Sequence, residues 1–495
     1  MTIEKVKKVL IVGGGTAGWM AAAALSKLLG KNLEITLIES DDIATVGVGE
    51  ATIPPLLTFH KLLGIKEQEF MVATQATFKL GIEFEKWRNT QHSYIHSFGS
   101  VGKECWAAGF QHFWRRGLDL GLSGDYGDYC LELEAAKVGK FAHLNAPPLR
   151  YAYHINATLY AKFLRGFSEK LGVKRVEGKI IDVITEPATD MLEAVKLASG
   201  QVINADFFID CSGFRGLLIE QTLHTGYEDW SHWLPCDSAV AVQTESISEV
   251  IPYTRSIARE AGWQWRIPLQ SRVGNGLVYC SRYWSEDEAQ RVLLQNVEGD
   301  PLTEPLNIKF RTGQRRKHWN KNCVALGLAS GFIEPLESTS IHLIQRGILR
   351  LIHLFPVNGI QAADAKEFNA QTNLEMESIR DFIILHYHVN QRGDSRFWRY
   401  CRNMSIPDSL ENRIELFKDS GRFFYKDDEL FGEYSWVQVM LGQGIMPKGY
   451  HPIVDLMSPN ELKGFLSQIQ APIKQALNTM PSHHDYVMRY CKTSG

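Results

Sequence analysis

The stretch Gly13-Gly-Gly-Thr-Ala-Gly18 constrains this chain more than any other. An apolar run at 6–12, Val-Lys-Lys-Val-Leu-Ile-Val, precedes it with the pattern of a buried strand. An alanine-rich segment, Trp19-Met-Ala-Ala-Ala-Ala-Leu, follows with the pattern of a helix. Gly13, Gly15 and Gly18 form G-x-G-x-x-G between the two. The first glycine permits the tight turn, the second lets backbone approach a pyrophosphate, and the third lets the helix pack closely. Thr16 and Ala17 then present N–H groups at a helix N-terminus, where phosphates bind. A second strand pattern, Leu33-Glu-Ile-Thr-Leu-Ile-Glu39, ends about 20 residues on in an acid placed for ribose hydroxyls. These residues predict an α/β fold with a Rossmann-type dinucleotide-binding module.

Later segments favour FAD over a nicotinamide. Asp206-Phe-Phe-Ile-Asp-Cys-Ser-Gly213 is another apolar strand ending in glycine. It resembles the second FAD-contacting strand of flavin monooxygenases, and the segment from Leu326 and Gly327 to Pro335 resembles their third flavin motif. Leu328 stands where that motif carries an aspartate, which removes a ribityl contact. No second G-x-G-x-x-G occurs, and Gly274-Asn-Gly-Leu does not qualify. The loop Gly47-Val-Gly-Glu-Ala-Thr-Ile-Pro-Pro55 is apolar with one acid. Gly47, Gly49, Glu50 and Ala51 are expected to fold over the flat ring of the cofactor.

Length and composition bound the rest. A chain of 495 residues exceeds one simple core. The expected division is a FAD-binding module at 1–345, with a substrate-side insertion around 55–150, and a mainly helical substrate module at 346–495. A net charge of −3 points to neither nucleic acid nor an anionic membrane surface. No apolar run approaches the ~20 residues of a membrane-spanning helix. Eight cysteines without a C-x-x-C pair read as reduced thiols in a cytoplasmic protein, with no metal site. The charged residues at 1–8 give no secretory pattern. Twelve tryptophans and seventeen tyrosines suit a pocket for a flat ligand.

Three further pieces carry chemistry-bearing residues. Gly331-Phe-Ile-Glu-Pro-Leu-Glu-Ser-Thr-Ser340 turns past a proline into an amphipathic helix. One reading of it is capping by Ser338 or Thr339. The other is an anion or flavin edge held by N–H groups, with Glu334 and Glu337 beside it. Lys79 heads the alternating run Phe78-Lys-Leu-Gly-Ile-Glu-Phe-Glu-Lys-Trp87 between apolar neighbours. Gly262-Trp-Gln-Trp-Arg-Ile-Pro268 places two indoles on one strand face, with the proline marking an edge strand or a strand end.

Taken together, Gly13-x-Gly15-x-x-Gly18, Lys79, the Trp263-x-Trp265-x-Ile267-Pro268 block and Glu337-Ser-Thr resemble the flavin-dependent halogenases of the tryptophan-halogenase family. The resemblance runs over nearly the full chain. It implies that reduced FAD from a separate flavin reductase, O2 and halide yield hypohalous acid. That oxidant crosses the protein to Lys79 and halogenates an arene. Glu337 is the implied second catalytic residue, and Thr339 and Ser340 the implied halide site. His96 and Phe98 would sandwich the substrate ring. The 263–268 block would keep substrate off the flavin. Burial would lower the Lys79 pKa and favour a haloamine, whereas a carboxylate would favour an ammonium donating a hydrogen bond. The sequence leaves both open.

Two departures bear on substrate and halide. The segment Asp428-Glu-Leu-Phe-Gly-Glu-Tyr-Ser-Trp436 lacks the Phe-Trp pair with which tryptophan-specific members grip the amino acid, and Phe397-Trp398 lies elsewhere. A smaller indole or other electron-rich arene is expected in place of free tryptophan. Ser340 stands where glycine is usual, and bromide is expected to serve at least as well as chloride. The alternatives are a FAD-dependent aromatic monooxygenase and a non-catalytic FAD-binding scaffold. The chain is expected to be a monomer or homodimer.

Overall fold

The computed structural model describes residues 5–42, 49–426 and 428–493. Gly47 therefore lies outside the described residues. The strand Lys8–Val12 sits inside a six-stranded sheet, between Phe207–Asp210 and Glu34–Glu39. Both pairings are parallel, and Cys323–Ala325 and Lys174–Glu177 extend the parallel set on either side. Burial on both faces explains the apolar runs of the inner strands at 9–12, 207–209 and 323–325. Their C-terminal ends converge on Gly13, Glu39, Asp210 and Ala325. That is where ligands bind in open parallel sheets.

A seven-stranded sheet forms the second layer. Its middle strand is Gly262–Pro268, and all seven of its residues are buried. It pairs with Tyr253–Arg259 on one side and Val273–Tyr279 on the other. Pro268 thus ends a central strand and does not mark an edge. Its missing N–H falls at the last register position, opposite Val273, where the ladder stops.

Lys79 closes the short strand Thr77–Lys79, which pairs with Ala152–Asn156 and not with the strand that follows it, Gly81–Glu85. Asn156 then caps the helix Ala157–Lys170, its Oδ1 accepting from the Leu159 N–H at 3.2 Å.

Beyond residue 340 the chain is mainly helical: Ser340–His353, Ala362–His388, Arg396–Asn403, Asp408–Ser420, Glu433–Gly442, Pro459–Thr479 and His483–Tyr490. The position 345/346, expected as a module boundary, falls inside the first of these helices. The helix Ala362–His388 shares one apolar core with the seven-stranded sheet. Met376, Ile379, Phe382 and Ile383 join Trp263, Trp265, Leu277 and Val278 there. Among the described residues no helix is long and apolar enough to cross a membrane.

Candidate active site

A cavity of about 580 Å³ opens at the C-terminal ends of the parallel strands and runs against the seven-stranded sheet. Gly13, Gly15, Thr16, Ala17, Glu39, Gly49, Glu50, Ala51, Leu326 and Pro335 all line it. The three motif glycines have separate physical reasons. Gly13 adopts φ +112°, and a Cβ there would fall 2.2 Å from the Cys211 carbonyl oxygen. A Cβ at Gly18, which does not reach the wall, would fall 1.9 Å from the Gly13 carbonyl oxygen, so the helix could not pack on the turn. A Cβ at Gly15 would meet nothing within 4 Å and would take up cavity space. Glu39 accepts from the Trp19 indole at 3.3 Å and pairs with Arg175. This cradle fits an extended dinucleotide: glycine backbone at a helix start, a carboxylate at the end of the second strand, and largely apolar walls. Leu328 also lines the cavity, at the place where the flavin monooxygenase motif has its aspartate.

The far wall is built by Trp263, Trp265 and Ile267, whose side chains share one strand face. The two indoles lie 6.1 Å apart. Gly276, opposite Trp265 on the next strand, leaves room for its ring. A Cβ there would lie 2.0 Å from the indole. Pro268 does not reach the wall.

Beside the cavity, joined to its wall by Ser338, lies a second, buried group of side chains. Lys79 has no exposed surface. Its Nζ donates to Ser338 Oγ at 2.8 Å and to the Thr52 carbonyl at 3.1 Å. The Phe98 ring centre is 5.2 Å away. Burial pushes the Lys79 pKa down, the Glu337 charge partly offsets this, and the result is about 7. Burial thus outweighs the carboxylate.

Glu337, also buried, accepts from His96 Nδ1 at 2.9 and 3.0 Å. A carboxylate only accepts, so Nδ1 carries the proton. His386 approaches from the helix Ala362–His388. Its Nδ1 donates to the Phe382 carbonyl at 2.8 Å, and its Nε2 stands 2.9 Å from Glu337 Oε1 without hydrogen-bond alignment. Burial alone would raise the Glu337 pKa, but the two imidazoles outweigh it and hold the carboxyl down at about 2. His96 Nε2 is buried without a partner.

The turn that carries Glu337 explains how both groups meet. Pro335–Glu337 forms one 3-10 turn, and Ser338 follows at φ +59°, the left-handed region. That conformation costs a non-glycine residue ~1 kcal/mol or more. Ser338 is not the N-cap of the helix that follows; its backbone N–H closes the 3-10 turn on the Pro335 carbonyl at 3.0 Å. Its hydroxyl goes to Lys79, and its other face lines the cofactor cavity. Thr339 precedes the helix Ser340–His353, but its hydroxyl makes no cap bond and is buried without a partner. Thr339 thus occupies the N-cap position, as one reading expects, but neither hydroxyl caps the helix. Ser340 lines the cavity and Thr339 does not. Ser338 and His386 are site residues that the sequence reading did not assign.

The family model described as tryptophan halogenase matches residues 8–459. The chain belongs to the tryptophan halogenase family. It is 36% identical to tryptophan 7-halogenase RebH of Lentzea aerocolonigenes, over 98% of each chain. A flavin-dependent halogenase from Xanthomonas campestris superposes with a TM-score of 0.98 at 56% identity, covering 99% of this chain and 100% of that one. BrvH, a flavin-dependent halogenase from Brevundimonas sp. BAL3, superposes with a TM-score of 0.94 at 43% identity, covering 99% and 100%. This halogenase is therefore an enzyme that uses reduced FAD, dioxygen and halide on an aromatic substrate, with the reduced flavin coming from a separate reductase. The cradle described above is the part of the halogenase that fits FAD.

Proposed function

We propose that this halogenase brominates or chlorinates an indole-type or other electron-rich arene, with Lys79 and Glu337 as its two catalytic residues. Bound reduced FAD, with dioxygen and halide, supplies the oxidised halogen as hypohalous acid. The observation that carries the reading is Ser338, which lines the cofactor cavity and accepts a hydrogen bond from the buried Lys79. Lys79 has two of its three Nζ positions committed, to Ser338 and Thr52. The third is left for the oxidant. With a pKa near 7 the amine is available at neutral pH, which favours the haloamine route over the hydrogen-bonded one.

The overall step is ArH plus HOX giving ArX plus water. On the haloamine route the oxygen of HOX leaves as water with an amine proton as the N–X bond forms. The arene carbon then takes the halogen, the N–X electron pair returns to nitrogen, and the ring proton passes by way of Glu337 to that nitrogen. Glu337, ionised because His96 and His386 surround it, stabilises the arenium cation and accepts that proton. Phe98 is the residue proposed to stack the arene, and its ring centre 5.2 Å from Nζ supports that part. His96 spends its Nδ1 on Glu337, so its part is orienting the carboxylate as well as flanking the ring. Trp263, Trp265 and Ile267 form the barrier between the two compartments, and Pro268 ends their strand. Thr339 and Ser340, at the start of a helix, have N–H groups without intrahelical partners and are read as the halide site, Ser340 at the cavity wall and Thr339 buried next to it.

The 428–436 segment lacks the paired aromatics that would grip an amino acid, which favours a bare indole over free tryptophan. The residue at 340 favours bromide at least as much as chloride. The chain is read as a cytoplasmic monomer or homodimer. The test is mass spectrometry of product from indole with each halide, FAD and an unrelated flavin reductase. Halogen mass supports the reading, and added oxygen alone overturns it.

A further inference from the structure

Glu334 has no part in the halogen transfer just described, yet it is fully buried one turn before Glu337. Its Oε2 accepts from the Trp263 indole N–H at 3.0 Å and from the Tyr387 hydroxyl at 2.5 Å. Its Oε1 has no partner. Tyr387 directly follows His386, whose Nε2 faces Glu337. One turn of chain therefore grips two consecutive residues of the helix Ala362–His388. Glu337 meets the first, and Glu334 holds the second together with the cavity wall.

We propose that Glu334 is a positioning residue that pins the Trp263 indole in the wall between the cofactor cavity and the Lys79 pocket. The argument is one of alternatives. Trp263 is 1% exposed and lies on a central strand, so its backbone is fixed by pairing on both sides. Its indole N–H needs an acceptor in a buried place. Among the described residues, that N–H donates only to Glu334. An apolar side chain at 334 would leave two buried donors unpaired and a void behind the ring, and the indole would then tilt off the wall. Burial holds the Glu334 carboxyl up at about 7. A neutral amide is therefore a close substitute. Glutamine at 334 offers its carbonyl to both donors and places its NH2 where Oε1 already lacks a partner.

This inference rests on the two-compartment reading above, and the experiment separates the two. Holoenzyme is assayed with indole, bromide, FAD and an unrelated flavin reductase, and bromoindole formed is divided by dioxygen consumed. Oxidised FAD binding is titrated separately by quenching of protein fluorescence. Glu334→Ala is expected to lower the product-to-oxygen ratio at least fivefold and to weaken FAD at least threefold. Glu334→Gln stays within twofold on both. Trp263→Phe lowers the ratio as Glu334→Ala does, and the double variant is no worse than either single one. A Glu334→Ala protein with wild-type ratio and FAD affinity overturns the proposal, as do two losses that multiply in the double variant. If Glu334→Ala does not fold, Tyr387→Phe with Glu334→Gln carries the test, because both keep the indole bond and must keep the ratio. A wild-type protein that makes no bromoindole overturns the indole reading, and the FAD titration then decides the Glu334 proposal by itself.

Discussion

Lys79 Nζ and Ser338 Oγ are 2.8 Å apart, although 259 positions separate them in the chain. The amine is fully buried, and the serine also lines the cofactor cavity. This contact links the buried amine to the cavity wall, and in the proposed function it is the link between halide oxidation and halogen transfer.

Removing that hydroxyl tests the contact. Ser338→Ala deletes one acceptor from Lys79 and should lower kcat about tenfold, the equivalent of ~1.4 kcal/mol. FAD binding should stay within twofold. Ser338→Gly removes the same hydroxyl while relieving the left-handed backbone, so it should lose activity equally and melt no lower than wild type. Steady-state kinetics beside thermal melts check both.

The depressed lysine predicts a pH signature. If the reactive form is the free amine, kcat/KM rises through a limb near pH 7. Glu337 raises the Lys79 pKa, so in Glu337→Gln the residual activity should show its limb at lower pH. Stability follows the same group. The unfolded lysine titrates near its ordinary 10.5, so between about 7 and 10.5 the unfolded state binds more protons. Stability contributed by the neutral lysine is present above the unfolded value and declines as pH falls to 7. Denaturant melts of Lys79→Met should lack that slope.

Gly276→Ala probes the wall without touching a catalytic group. The new methyl would overlap the Trp265 indole and push it into the cavity. FAD affinity should fall at least tenfold, measured by titration, with the far-ultraviolet circular dichroism spectrum unchanged.

Acid stability depends on a carboxylate remote from the reaction. Glu67 accepts from Tyr151 at 2.6 Å, Tyr153 at 2.7 Å and Tyr490 at 2.9 Å, and pairs with His143 at 3.2 Å. Burial would raise its pKa, but these partners hold it down at about 2. This contribution is present above the ordinary 4.5 and is lost as pH falls towards 2. Glu67→Gln should cost about 2 kcal/mol at neutral pH and flatten the stability profile below pH 4.5. Urea melts at several pH values read it out.

How much the sequence revealed follows the range of the interactions. The glycine motif could be read because Gly18 answers to atoms of its own turn, Gly13 to the facing strand end at Cys211, and Gly15 to the cavity it borders. Lys79 stood out because an isolated lysine headed an apolar strand. The middle position of Gly262–Pro268 could not be read, since its sheet collects strands from residues 81 to 309. Ser338 looked like a helix cap because serine near a helix start usually is one. Its actual partner comes from the far side of the chain. His386 gave no signal in a long helix pattern. Only its adjacency to Tyr387, and the spacing of Glu334 and Glu337 on the opposing turn, could have hinted at a double grip.

The most direct measurement is product mass from Lys79→Met incubated with indole, bromide, reduced FAD and dioxygen, after FAD titration shows that the variant still binds the cofactor. The account predicts wild-type FAD affinity, continued dioxygen consumption and bromoindole reduced at least a hundredfold. Bromoindole at a wild-type rate from that variant would contradict it.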